Sequence, residues 1–125
     1  GSKMAYTKGL PLGMNISGYS KVFLEKSLKG IESNKLETGW NRIFEKDEID
    51  IIKLNLSDDI AKIRMTLDYE ADADFFKTVI SNLDVLNISD ISLFDSIIKN
   101  KWSQLNSHLG DIYWANFNKL KEEEI

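Results

Sequence analysis

The chain has 125 residues and contains no cysteine, one proline, one histidine and two arginines. Without thiols there is no disulfide, zinc–thiolate site or cysteine nucleophile, so stability has to come from a packed core. A lone histidine, His108, leaves any imidazole-dependent acid–base or metal scheme to that one residue. It falls on the flank of an expected helix near its end, where a cation simply favours the negative end of the helix dipole. A Gly-x-Ser-x-Gly elbow, a Gly-Lys-Ser phosphate loop and a dinucleotide fingerprint are also missing. No apolar run reaches membrane-spanning length.

Positive charge is scarce as well. The formal net charge is −4, which opposes non-specific attraction to nucleic acid. Only Arg42 and Arg64 carry the forked guanidinium suited to phosphate. Lysines are interspersed among the acids throughout, which equally disfavours an acidic surface that imitates a DNA duplex. The 42% hydrophobic and 29% charged fractions are those of an ordinary folded domain. Residues 1–3 read as an expression scar with Met4 as the native start. No apolar segment of signal-peptide length follows, so a cytoplasmic location is expected. The sequons at Asn15, Asn55 and Asn87 are then chance occurrences.

What is present is a strong pattern between Ile49 and Leu86. Ile52, Leu54 and Leu56 alternate with polar residues, and so do Ile63, Met65 and Leu67 within Ala61–Tyr69. That is the period of strands with one buried face. Phe75, Phe76, Val79, Ile80, Leu83 and Leu86 then recur at helical spacing. Trp40, Arg42 and Phe44 add a third alternating stretch, giving expected strands over 38–45, 49–56 and 60–69. The helix following them is expected over 73–86. A further stripe of Ile91, Phe94, Ile98, Trp102, Leu105 and Leu109 predicts a helix ending near His108. Gly110-Asp111 reads as a stop and a new cap, with one continuous helix as the alternative.

Residues 4–18, with Gly9, Pro11, Gly13 and Gly18, read as an irregular arm laid across the domain. Its exchange into a second copy, forming a homodimer, is the alternative. Residues 20–31 read as helix in preference to strand, ending at Gly30 or Asn34. The expected fold is therefore α+β: a single domain over 19–125 with a small antiparallel β-meander, covered on one face by helices that are mostly C-terminal.

Asp68, Glu70, Asp72 and Asp74 sit two residues apart and would line one face of a continuous strand, as a hard cation requires. An EF-hand loop is excluded, since the position for its bidentate glutamate holds Val79. The simpler reading places Asp68 on a solvent face and Asp72 and Asp74 at a helix start, capping free N–H groups. No metal, cofactor or catalytic centre is therefore expected. Arg42 and Asp50 share faces with apolar neighbours, and charges pointing inward are paired or lie near an open sheet edge. They read as a mutual pair, or as the margin of a face left open for a partner. Trp114 falls beyond the stripe of Ile112, Tyr113, Asn116, Phe117 and Leu120, and Leu93 and Ile97 lie off the main stripe of the preceding helix. These three make a candidate partner surface.

The function expected on these grounds is a non-catalytic protein-binding module. It would occlude or neutralise a partner, in the manner of an immunity protein or inhibitor among bacterial or phage accessory proteins. A small acidic assembly or secretion chaperone acting as a dimer is the alternative. The helix–meander–helix order is similar to that of such chaperones, but their later strand pair has no counterpart here.

Overall fold

The computed structural model describes residues 3–32, 38 and 40–124. Gly1, Ser2 and Asn34, and position 39 of the first expected strand, lie outside the described residues. The fold is α+β, with a three-stranded sheet and five α-helices among the described residues, the helices mostly C-terminal. The contacts divide the chain into two compact units.

The first unit comprises residues 1–8, 16–53 and 111–125. Its sheet has the order β2-β1-β3, formed by β1 (Met4–Lys8), β2 (Ser17–Tyr19) and β3 (Ile49–Lys53). β2 runs antiparallel to β1 with Met4 opposite Tyr19, whereas β3 runs parallel to it with Met4 opposite Ile49. The sheet is therefore mixed and not an antiparallel meander. The expected irregular arm over 4–18 supplies β1 and all of β2 but Tyr19. Residues 20–31 resolve in favour of helix: α1 (Lys21–Ser27) starts at Ser20, whose hydroxyl accepts the Phe23 N–H at 3.2 Å. Stacked rings of Phe23 and Phe44, with centroids 5.3 Å apart, join Met4 in the buried core of this unit.

The second unit comprises residues 9–15 and 54–110. It holds α2 (Asp58–Ala61), α3 (Glu70–Asn82), α4 (Asp90–Lys99) and the start of α5 (Leu109–Glu123). Its core is built from Ile60, Ile63, Phe75, Val79, Phe94 and Ile97. The expected strand over 60–69 is not formed. Ser57-Asp58-Asp59, between the second and third expected strands, is a helix start: the Ser57 hydroxyl accepts the Ile60 N–H at 3.4 Å, and the acids occupy the first turn of α2. Only a single parallel bridge survives beyond it, between Leu12 and Arg64. Its hydrogen bonds run from Leu12 N to Ile63 O at 3.1 Å and from Met65 N to Leu12 O at 2.8 Å. Gly9 and Gly13 make this crossing segment fit. Both have positive φ, and a Cβ would lie 2.4 Å from Leu54 O at Gly9 and 2.5 Å from Met65 O at Gly13.

The expected common face of Ile52, Leu54, Ile63, Met65 and Leu67 therefore does not exist. Ile63 is buried, but Ile52, Leu54 and Leu67 are exposed and Arg64, expected in solvent, is buried. The helix stop also falls elsewhere. α4 ends at Lys99 with Asn100 as its C-terminal cap, followed by Lys101 in the left-handed region with φ of 58°, and Gly110 lies inside the first turn of α5.

The two alternating residues Ile63 and Leu67 separate this packing from a strand. Ile63, 1% exposed, should lose about 2–5 kcal/mol of unfolding free energy on truncation to alanine. Leu67, 66% exposed, should lose less than about 0.5 kcal/mol on the same change. Urea unfolding of the two variants checks this; equal losses would restore the strand.

Candidate functional site

The most perturbed ionisable groups lie in the second unit. Arg64, Asp72 and Asn106 are buried together. Asp72 is the third residue of α3, so its carboxylate reaches back over the helix start. There Oδ2 accepts N–H groups from Asp68 at 3.0 Å and Tyr69 at 3.1 Å. The same carboxylate takes the Arg64 guanidinium as a fork, with Nε to Oδ1 at 2.8 Å and Nη2 to Oδ2 at 3.0 Å. Asn106 Nδ2 donates to Asp72 Oδ1 at 2.9 Å and to the Arg64 carbonyl at 3.1 Å, two acceptors that fix the orientation of its amide. Asp68 adds a contact to Arg64 Nη2 at 2.9 Å, and the guanidinium lies 5.6 Å from the centroid of the Tyr69 ring.

Burial by itself would push the Asp72 carboxyl up. The Arg64 guanidinium outweighs it together with the Asp68 N–H, the Asn106 amide and the Tyr69 N–H, and Asp72 is held well below the usual carboxylate range. Arg64 is raised, chiefly by its hydrogen bond to Asp72 against the opposing effect of burial. The acidic run is thus a helix start with one buried member. Asp74 is exposed and within 4.0 Å of Lys77 Nζ, so the carboxylates do not converge. Among the described residues no group of three or more metal-ligating side chains is assembled.

The accessible features lie in the first unit. The sheet register puts Met4 and Tyr6 of β1, Ser17 of β2, and Ile49 and Ile51 of β3 on one face. That face forms the floor of a pocket of about 680 Å³. Its other walls are Asn41, Arg42 and Phe44, then Lys46 from the following turn and Lys121 from α5. Arg42, singled out by the sequence as an inward charge, stands at this pocket and approaches Glu124 Oε2 at 3.8 Å. It belongs to a 3-10 turn, Trp40–Ile43, and not to a strand. Asp50 lies in β3 between Ile49 and Ile51, so strand alternation puts it on the opposite face of the sheet. Lys46 and Lys121 carried no signal in the sequence, because only the fold brings them beside Arg42.

α5 itself is unusual. Leu109 is its one buried residue. Ile112, Trp114 and Leu120 are 48%, 48% and 51% exposed, and Tyr113 and Phe117 are half-buried. The expected core stripe of this helix is therefore only partly covered, at Tyr113 and Phe117. Trp114 packs edge-on against Tyr113 and Phe117, with centroids 5.3 and 5.5 Å away. Leu93 and Ile97 do not extend this surface. Ile97 is fully buried in the core of the second unit and Leu93 is half-buried against it, because α4 turns both its ridges inward. His108 is exposed just before α5.

Family models, curated proteins and solved structures were all compared with the chain, and none matches. Among the described residues no helix is long and apolar enough to cross a membrane.

The buried network makes a pH test with a definite sign. The native carboxyl of Asp72 is depressed, so its stabilisation is fully present above the unfolded carboxyl value of about 3.9. It is lost as the pH falls through the lower native value. Asp72→Asn leaves the buried guanidinium with only the partly exposed Asp68 as counter-charge and should cost about 3 kcal/mol at pH 7. Urea unfolding should show the gap between wild type and variant narrowing below about pH 4. A gap that stays constant down to pH 2 would contradict this assignment.

Proposed function

We propose that this chain is a non-catalytic protein-binding module that uses the face of α5 to occlude one partner protein. One observation carries the reading: after Leu109, no large apolar side chain of this 15-residue helix is buried, and one of them is Trp114. Leaving Ile112, Trp114 and Leu120 in water forgoes the burial that stabilises an amphipathic helix. A partner that covers them recovers it. Tryptophan and tyrosine are the residues most often found at the energetic centre of such contacts. The rings of Tyr113, Trp114 and Phe117 pack on one another and present a contiguous aromatic surface.

The non-catalytic part of the reading is supported by where the perturbed groups lie. Arg64 and Asp72 are enclosed by their own hydrogen bonds in the second unit, and their chemistry is spent on holding the start of α3. Their shifts are explained by structure and need no substrate.

Trp114→Ala should lower the unfolding free energy by about 1 kcal/mol, the loss of its ring contacts, and not by the roughly 3–5 kcal/mol of a core tryptophan. It should weaken capture of the native partner by about 2 kcal/mol or more, roughly thirtyfold in Kd. Affinity purification from the native host, urea unfolding and light scattering on the same two proteins separate the outcomes. A sharp loss of stability, or capture at full strength, would mean that Trp114 is core and α5 is not the partner surface. A wild-type dimer that Trp114→Ala converts to monomer would identify the partner as a second copy of the chain.

A further inference from the structure

The pocket in the first unit is a second feature, independent of the exposed face of α5. We propose that it binds a small amphipathic anion, with a carboxylate or phosphate head held by Arg42, Lys46 and Lys121 and an apolar body lying on the sheet.

Charge is the first reason. The protein carries a net charge of −4, yet three cationic side chains from separate elements meet at this one cavity. Among the described residues no acidic side chain lines it. Cations lining a cavity with apolar walls focus a positive potential there. Glu124 approaches Arg42 from outside the lining and tempers this potential without cancelling the two lysines. The arginine fork suits a planar carboxylate or a phosphate, while the lysines act as point charges.

The floor is the second reason. Met4, Ile49 and Ile51 of the floor and Phe44 of the wall beside it are apolar, and Ile51 remains about half-exposed. A hydrated inorganic ion gains nothing from that surface, whereas a hydrocarbon body removes it from water. Tyr6 and Ser17 on the floor and Asn41 on the wall add neutral hydrogen-bonding groups. A cavity of about 680 Å³ with a mostly apolar floor and a few convergent polar groups is in the range of small-molecule sites.

Isothermal titration of the purified full chain with four probes tests the proposal: octanoate, octyl phosphate, octanol and inorganic phosphate. Octanoate, octyl phosphate or both should bind at one per chain with a Kd below about 1 mM. Octanol, which lacks the charge, and inorganic phosphate, which lacks the body, should bind at least about tenfold more weakly. Which of the two amphipathic probes binds tighter identifies the head group. Lys46→Met and Lys121→Met should each weaken binding about fivefold or more, with melting unchanged, and added salt should weaken it further. Ile51→Glu, at an exposed position that tolerates the change, should abolish it by placing an anion on the floor. Trp114→Ala should leave it intact. The proposal is overturned if neither amphipathic anion binds, if octanol binds as tightly, if both lysine variants bind like wild type, or if Trp114→Ala removes the binding. No partner protein enters the measurement, so its failure leaves the reading of α5 standing.

Discussion

Arg64 and Asp72 form the interaction on which the second unit turns. A charged pair taken out of water loses several kcal/mol of solvation per ion unless its geometry is close to ideal and its remaining hydrogen-bonding capacity is used. Here the carboxylate accepts from two guanidinium nitrogens, two backbone N–H groups and one amide. These contacts tie together three parts of the chain: the bridge at Arg64, the start of α3, and the turn at Asn106 that precedes α5. A buried network of this kind contributes less to net stability than to uniqueness. An apolar cluster such as Ile60, Ile63, Phe75 and Val79 can repack with small losses, whereas a misplaced Arg64 leaves two charges unsatisfied.

The same network explains why this region was the hardest to read from the sequence. The alternation through Ile63, Met65 and Leu67 is real, but period-two spacing marks a strand only when the intervening polar residues face water. Arg64 is the exception that inverts it. Its guanidinium pairs with the nearby Asp68 and Asp72, but Asn106, which closes the network through Asp72 and the Arg64 carbonyl, lies 42 positions from Arg64, so no local pattern reveals that the pair is enclosed. Ser57-Asp58-Asp59 did carry a readable signal, because a serine followed by acids is a helix start as readily as a loop. In contrast, α3 and α4 were legible, since Phe75, Val79 and Phe94 recur at helical spacing and are indeed buried. The α+β class followed from them. The mixed sheet was hidden for another reason: β2 has only three residues, and the parallel pairing of β1 with β3 joins segments more than forty positions apart.

For the first unit the legible part was the oddity of single residues. Arg42 stood out as a charge among aromatics, and the structure places it at a pocket wall. Trp114 stood out at the edge of its stripe, and it is half-exposed. What single-residue reasoning could not supply was company. Lys46 and Lys121 are ordinary lysines until the sheet and α5 bring them to one cavity, and Ile112 and Leu120 look like core until their surroundings are known. Ile97 fails in the opposite sense: its helix buries two ridges, so a residue off the main stripe is not thereby on the surface.

The enclosed state of the Arg64 guanidinium is the claim from which the rest of the second unit follows, and nuclear magnetic resonance of its Nε–H observes it directly. An Nε–H held on Asp72 Oδ1 at 2.8 Å and shut away from water should give a resolved signal at neutral pH. Its hydrogen exchange should be slow, limited by opening of the fold. The Asp72→Asn variant should lose that protection. A signal that exchanges as fast as that of a solvated arginine in the wild-type protein would contradict the buried pair and the packing derived from it.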